Sequence, residues 1–177
     1  MHRRPAPAIA LVTAAAARDL DEDLAPLVDA LRAAGAEPSV VDWDDASVDW
    51  SRFDVAVLRS TWDYTMRLAE FLRWIERAAA ATMLVNPPTV VRWSADKHYL
   101  AELARAGVAI VPSAFVEPGN DVDRALAAFL AANGGDFVVK PCVGAGSRDA
   151  QRYAHSERDA AIAHTARLLV AERSVLL

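Results

Sequence analysis

Phe137-Val138-Val139-Lys140-Pro141-Cys142-Val143-Gly144-Ala145-Gly146-Ser147 joins an apolar strand to a lysine and then to a turn-rich segment with two glycines. Two common phosphate motifs can be tested against it, and neither fits. A P-loop places its lysine after the glycines at a helix start, whereas Lys140 precedes them; a dinucleotide fingerprint needs a third glycine opening a helix, and that position is Asp149. Residues 148 to 153 read as a strand, so the segment connects two strands. The first delivers Lys140, the loop offers backbone N–H groups that can close over phosphates, and the second returns the chain. An ordinary hairpin with glycine at left-handed positions has the same pattern.

Working outward, Asn133-Gly134-Gly135 ends a helix over about Asp121 to Ala132. Before it, Ser94 reads as the N-cap of a helix running to about Ala106 and ended by Gly107, followed by a strand Val108 to Val111 stopped by Pro112. After the loop, a last helix starts at Ser156, with Asp159 placed for a capping box and Ile162, Ala166, Leu169 and Val170 on one face. Ser174 to Leu177 reads as a buried strand without a pairing partner, exposed to augmentation or self-association.

Toward the N-terminus the pattern alternates strand and helix. Ala8 to Thr13 is a buried strand, Leu24, Leu27, Val28 and Leu31 fall at helical spacing before Gly35, and Glu37 to Trp43 and Phe53 to Leu58 are further strands. A second helix carries Leu68, Phe71, Leu72 and Ile75, and Met83 to Asn86 is a short strand stopped by Pro87-Pro88. Near-continuous apolar strands separated by helices predict an open parallel sheet buried on both faces. The reading is α/β throughout, with an N-terminal lobe over 1–92 and a second lobe over 93–177.

The 177 residues are 54% hydrophobic and 24% charged, which places the chain among globular proteins. A net charge of -5 provides no basic face for phosphate backbones, so nucleic acid is not an expected partner. No run of 18 apolar residues occurs, and no membrane span is expected. Met1-His2-Arg3-Arg4 before the apolar stretch Pro5 to Ala17 has the outline of a secretory signal, but Pro5 and Pro7 interrupt it and Ala8 to Thr13 serves as a strand. The expected location is the cytoplasm. Cys142 alone excludes a disulfide framework and reads as a small packing residue; His98, His155 and His164 lack ligand-type spacing and read as solvated; Trp43, Trp50, Trp74 and Trp93 read as packing residues.

Among 19 basic residues, Lys97 and Lys140 are the two lysines. A sequence that uses arginine wherever a generic positive charge suffices points to these two positions, because a compact ammonium is not interchangeable with a guanidinium at a crowded phosphate.

Taken with its surroundings, the segment Lys140 to Ser147 resembles the signature of the ATP-grasp superfamily, with Ala95-Asp96-Lys97 similar to that family's earlier lysine. The order Asn86-Pro87, Asp96-Lys97, Gly107-Val108 to Pro112, then Lys140 and the glycine loop matches as well. Arg59-Ser60-Thr61-Trp62-Asp63-Tyr64 with Trp93 resembles the glutathione-synthetase-like subgroup, which includes the D-cycloserine ring-closing ligase. The resemblance runs from the first strand to the last.

It implies an ATP-dependent, carbon–nitrogen bond-forming ligase that activates an amino-acid-like carboxylate as an acyl phosphate. Lys97, Lys140, Gly144, Ala145, Gly146 and Ser147 would bind ATP. Arg59, Ser60, Thr61, Trp62, Asp63 and Tyr64, just past the end of a strand where open sheets place ligands, would bind substrate: Arg59 a carboxylate, Ser60 and Thr61 by hydrogen bonds, Asp63 an ammonium. The bland alternative is a surface turn in which Asp63 caps the next helix. In the family, Mg2+ ligands lie in a further lobe with no counterpart in these residues. The expectation is therefore a pre-ATP-grasp lobe and an incomplete ATP-grasp lobe, inactive without a complementary C-terminal chain, or alternatively a non-catalytic binding module.

Overall fold

The computed structural model describes residues 5–177, and the chain divides after Arg92 into two compact units. In the first, β1 (Ala8–Thr13), β2 (Glu37–Asp42), β3 (Val55–Ser60) and β4 (Met83–Val85) form one parallel sheet in the order β2-β1-β3-β4. β1 is central, and Ala10, Leu11, Val12 and Thr13 lose all solvent contact, which is why its sequence is a continuous apolar run rather than an alternating one. The predicted secretory pattern meets the structure at this strand; its Met1–Arg4 part lies outside the described residues.

Helix α1 (Leu24–Ala33) connects β1 to β2, and Gly35 leaves it at φ +86°, a left-handed turn that suits glycine. Helix α2 (Leu68–Ala81) turns Phe71, Trp74, Ile75 and Ala78 inward at i, i+3, i+4 and i+7. Trp43, 1% exposed, packs edge-on against Phe71 and Trp74 at ring separations of 5.4 and 6.1 Å, and Trp50 meets Trp74 at 5.1 Å. The connection from β1 to β2 moves to one side of β1, and β3 then pairs on its other side. The C-terminal ends of β1 and β3 therefore flank a point where the winding reverses, the place where open α/β sheets form ligand crevices.

Helix α3 (Pro88–Ser94) carries the chain past the division. In the second unit, helices α4 (Tyr99–Arg105), α5 (Val122–Ala132) and α6 (Arg158–Val170) accompany an antiparallel sheet. Its strands β5 (Phe115–Val116), β6 (Phe137–Pro141), β7 (Gln151–Tyr153) and β8 (Val175–Leu176) lie in the order β5-β8-β6-β7. The core joins Leu126 and Phe129 of α5 to Ala161 and Leu168 of α6 and to Val139 and Val175.

Several expectations are corrected here. Ser94 ends α3 instead of capping a longer helix: the Lys97 N–H donates to the carbonyl of Cys142, a bond between distant segments that holds Ala95 to His98 as a turn before α4 begins. Val108 to Val111 form no strand, and Val111 is 81% exposed; the strand is Phe115–Val116, where β8 supplies a partner. The helix cap near 156 sits earlier, with Glu157 accepting from the Ala154 N–H through a short 3-10 turn, His155–Glu157. The buried face of α6 is Ala161, His164, Thr165, Leu168 and Leu169, while Val170 is exposed. Finally, β8 is not an unpaired edge. It pairs with β5 on one side and β6 on the other, and Val175, Leu176 and Leu177 are buried, so the strand offers no edge for augmentation.

Candidate functional site

In the second unit, β6 delivers Lys140 and then turns into the glycine segment, which returns through β7. Lys97 reaches the same turn from the start of α4. Its ammonium donates to the carbonyls of Cys142 at 3.1 Å and Gly144 at 3.0 Å, and its backbone N–H donates to Cys142 at 3.0 Å. Three bonds from one residue fix the base of the loop. Burial pushes the Lys97 ammonium below its ordinary range, and the positive charge of Lys140 adds to that push, so the two lysines share one field. A pair of like charges so placed is suited to an anion.

The loop itself needs its glycines for two reasons. A Cβ on Gly144 would lie 3.0 Å from Cγ of Pro141 and 3.6 Å from the Lys97 ammonium, filling the space beside the lysine. Gly146 sits at φ +58°, and Ser147 and Asp149 follow at +55° and +56°, a left-handed succession folded by the bonds from Arg148 N–H to Ala145 and from Ala150 N–H to Ser147.

Two networks that sequence reasoning missed hold these parts. Asp149 accepts from Arg173 at 2.6 Å and lies 3.6 Å from Arg167, and the Arg173 hydrogen bond holds its carboxyl below the usual range. Asp96 accepts from the His98 N–H at 3.0 Å and contacts its Nδ1 at 2.6 Å; His98 Nε2 contacts Glu117 at 2.9 Å; and the Ser174 hydroxyl donates to Glu117. His98 also stacks on Phe115 at 4.4 Å. Burial lowers the His98 pKa, but hydrogen bonds to Glu117 and Asp96 outweigh it and the net shift is upward. His98 and the buried His164 are thus not the solvated residues expected. Cys142 is buried, and that burial pushes its thiol up to about 12. Trp93 is 40% exposed, with its indole N–H on Glu102, and is not a core residue.

In the first unit, Arg59 and Ser60 end β3, and the turn Trp62–Met66 follows. Arg59 donates to both carboxylate oxygens of Asp21, at 3.0 and 3.3 Å, and the Ser60 hydroxyl donates to the same group. Asp21, 6% exposed, is held below its usual range chiefly by Ser60 and then, against the cost of burial, by the Arg59 charge. The Arg59 Nε is buried with no partner among the described residues. Asp63 accepts from the Trp43 indole at 2.8 Å and from Arg67 at 3.3 Å, and Arg67 lies over the Trp43 ring at 4.6 Å. Both Asp63 oxygens are therefore engaged within the fold. Ser60 and Thr61 are buried, Tyr64 stacks on Phe71 at 5.2 Å, and Trp62 stands exposed. Beside Asp21, an open groove of about 320 Å³ runs between α1 and β2, lined by Arg18, Leu24, Val28, Arg32 and Val40.

Asp21 carried no local signal. It stands in an acidic stretch that reads as the front of α1, and its pairing with Arg59 spans 38 positions. Asp149 and the Asp96–His98 pair were equally unmarked, because their partners come from distant elements.

Residues 9–86 match the family described as D-cycloserine synthetase DcsG, N-terminal domain. Over 171 residues the chain is 46% identical to the cycloserine biosynthesis protein DcsG of Streptomyces lavendulae, an alignment covering 96% of this chain and 57% of that protein. A crystal structure of D-cycloserine synthetase DcsG superposes with a TM-score of 0.86 at 45% identity, over 96% of this chain and 58% of the other. An ATP-grasp RimK domain protein from Sphaerobacter thermophilus DSM 20745, 20% identical, shares the fold at a TM-score of 0.66 over 96% of this chain and 62% of its own. The chain spans less than two thirds of the length of each.

Proposed function

Residues 9–86 belong to the family of D-cycloserine synthetase N-terminal domains, and from that premise we propose that this chain carries the substrate lobe and one nucleotide-holding lobe of an ATP-dependent ligase of the ATP-grasp type. The reading rests above all on one observation: Lys97 is bonded to the glycine loop's own carbonyls, close enough to Lys140, far away in sequence, for the charge of one lysine to act on the other.

The residues fit a nucleotide's phosphates. Lys97 and Lys140 supply positive charge on a partly buried surface, where it acts more strongly than in water. Gly144, Ala145, Gly146 and Ser147 bring backbone N–H groups to the same place, and the absent side chain at Gly144 leaves the room. Phosphoryl transfer asks mainly for positioning and charge neutralisation, and these parts provide both. No residue of this chain is assigned as a ligand of the Mg2+ that accompanies ATP.

The substrate segment is Arg59 to Tyr64, at the reversal point of the parallel sheet. Arg59 serves a carboxylate of an amino-acid-like substrate, with Asp21 fixing one edge of its guanidinium and the buried Nε left without a partner among the described residues. Ser60 and Asp63 take part through the framework, Ser60 on Asp21 and Asp63 on Trp43, while Thr61, Trp62 and Tyr64 shape the surroundings. ATP attacked by the carboxylate gives an acyl phosphate and ADP, and an amine then displaces phosphate to form the amide.

Calorimetric titration of this chain with ATP, in parallel with Lys97→Ala and Lys140→Ala, tests the nucleotide half. Each variant should bind about tenfold or more weakly, as expected on removing a charged hydrogen-bond donor. Unchanged affinity in both would refute the assignment. In a form spanning the full length of the relatives, ADP release should depend on both lysines.

A further inference from the structure

We propose that Asp96, His98 and Cys142 form a binding site for a borderline divalent cation of the zinc class. A carboxylate oxygen, the His98 ring nitrogen and the Cys142 sulfur lie within 4.8 Å of one another. This is a mixed O, N and S donor set, the kind that Zn2+ accepts and Mg2+ does not.

The geometry favours coordination over an incidental cluster. His98 Nδ1 already points at the Asp96 carboxylate at 2.6 Å, so an ion there replaces a proton between two ligands. On the far side of the ring, Nε2 faces Glu117 at 2.9 Å, and Glu117 is fixed in turn by Ser174. A histidine that ligates through one nitrogen while a carboxylate accepts from the other is the usual outer-sphere arrangement at zinc, where it sets the tautomer and the ring angle. Stacking on Phe115 holds the same ring.

Cys142 comes up from the end of β6 as a buried thiol, and binding transfers its proton to solvent as the sulfur ligates. The side chains of Asp96 and His98 are about 40% exposed, which leaves the fourth tetrahedral position to water. Two ammonium groups share this region, but Lys97 already donates to the carbonyls of Cys142 and Gly144, and the carboxylates of Asp96 and Glu117 offset the two lysines.

The same Cys142 whose sulfur would ligate also accepts from both nitrogens of Lys97 through its carbonyl. An occupied site therefore stiffens the turn that carries Lys97. The site does not depend on the ligase reading, and its test involves no nucleotide.

The test is titration of the 177-residue chain with Co2+ as a spectroscopic stand-in, followed by displacement with Zn2+. The expected result is one Co2+ per chain, with the intense visible bands of tetrahedral coordination and a near-ultraviolet thiolate-to-cobalt band, both bleached by Zn2+. Cys142→Ser should remove the thiolate band, and His98→Gln should weaken binding at least tenfold. Glu117→Gln should weaken it ten- to a hundredfold while keeping the thiolate band, the signature of an outer-sphere carboxylate. Thermal unfolding of each apo variant shows that it is folded, and the more exposed Asp96→Asn serves if the buried Cys142→Ser is not. Octahedral spectra without a thiolate band, or cobalt affinity unchanged in both His98→Gln and Asp96→Asn, would overturn the proposal.

Discussion

The Lys97 ammonium donates to the carbonyl oxygen of Gly144 at 3.0 Å while holding that of Cys142 at 3.1 Å, so one side chain ties the start of α4 to the glycine loop. Lys97→Met keeps the aliphatic stem and removes both bonds. Amide exchange over residues 143–148 should then accelerate about tenfold or more, with the core strands unaffected. Lys97→Arg should not rescue it, because a planar fork cannot replace a compact ammonium between two carbonyls this close. Unchanged exchange in Lys97→Met would show that the loop is held by its own turns.

Gly144 and Gly146 should fail for different reasons when changed to alanine. At Gly144 the new methyl meets the Pro141 ring at 3.0 Å; the ring can give a few tenths of an ångström, so the cost should be about 1 kcal/mol, the low end for overpacking. At Gly146 nothing lies in the way, and the cost is that of holding a non-glycine residue at φ +58°, about 1 to 2 kcal/mol. ATP affinity should distinguish them: Gly144→Ala crowds the Lys97 ammonium and weakens binding more than its stability loss implies. Equal loss of affinity in the two variants would contradict this.

Where local periodicity decides an element, the sequence was sufficient. β1 is legible because burial on both faces demands an unbroken apolar run, and α5 because Asp121 caps it by accepting from the Arg124 N–H. The pairing of β6 with β7 through the glycine segment was legible from turn chemistry. What could not be read depends on distant partners. Ser94 looks like a cap until Cys142 draws the Lys97 N–H away, and Ser174 to Leu177 looks unpaired until β5 and β6 flank it. The networks around Asp21, Asp149 and His98 join residues on separate elements, and no spacing rule marks them.

Asp63 is predicted to be a structural acceptor first. Asp63→Ala leaves the buried Trp43 indole N–H without a partner, and unfolding should show a loss of about 1 to 3 kcal/mol. Asp63→Asn keeps an acceptor and should recover most of it. If Asp63→Ala is as stable as the parent chain, the indole bond contributes nothing and Asp63 is available for substrate.

Asp21 should govern part of the acid response. Its folded-state pKa lies below the ordinary 3.8, held there chiefly by Ser60 and, against desolvation, by Arg59. A depressed carboxylate contributes stability that is complete above the unfolded value and is lost as pH falls through the folded one. Asp21→Asn should be about 2 to 3 kcal/mol less stable at pH 7, and the gap should close on titrating below pH 4. A gap that persists unchanged into that range would assign the effect to packing.

His164 sets a second and separate pH response near neutrality. The ring is buried on α6, its Nδ1 lies 3.0 Å from the Tyr153 hydroxyl, and burial pushes its pKa below the ordinary 6.5, with Arg167 adding to the depression and Asp149 opposing it. A neutral Nδ1 accepts from Tyr153, whereas a protonated ring has no lone pair there. The unfolded chain thus takes up a proton near pH 6.5 while the folded chain still resists it. Stability should be full above that pH and should fall as pH drops toward the folded-state value, with a slope bounded by one proton, about 1.4 kcal/mol per pH unit. His164→Gln retains an acceptor for Tyr153 and should flatten this window while leaving the lower transition at Asp21 in place. Chemical unfolding curves from pH 8 to 5 for the two proteins check it; parallel curves would remove His164 from the account.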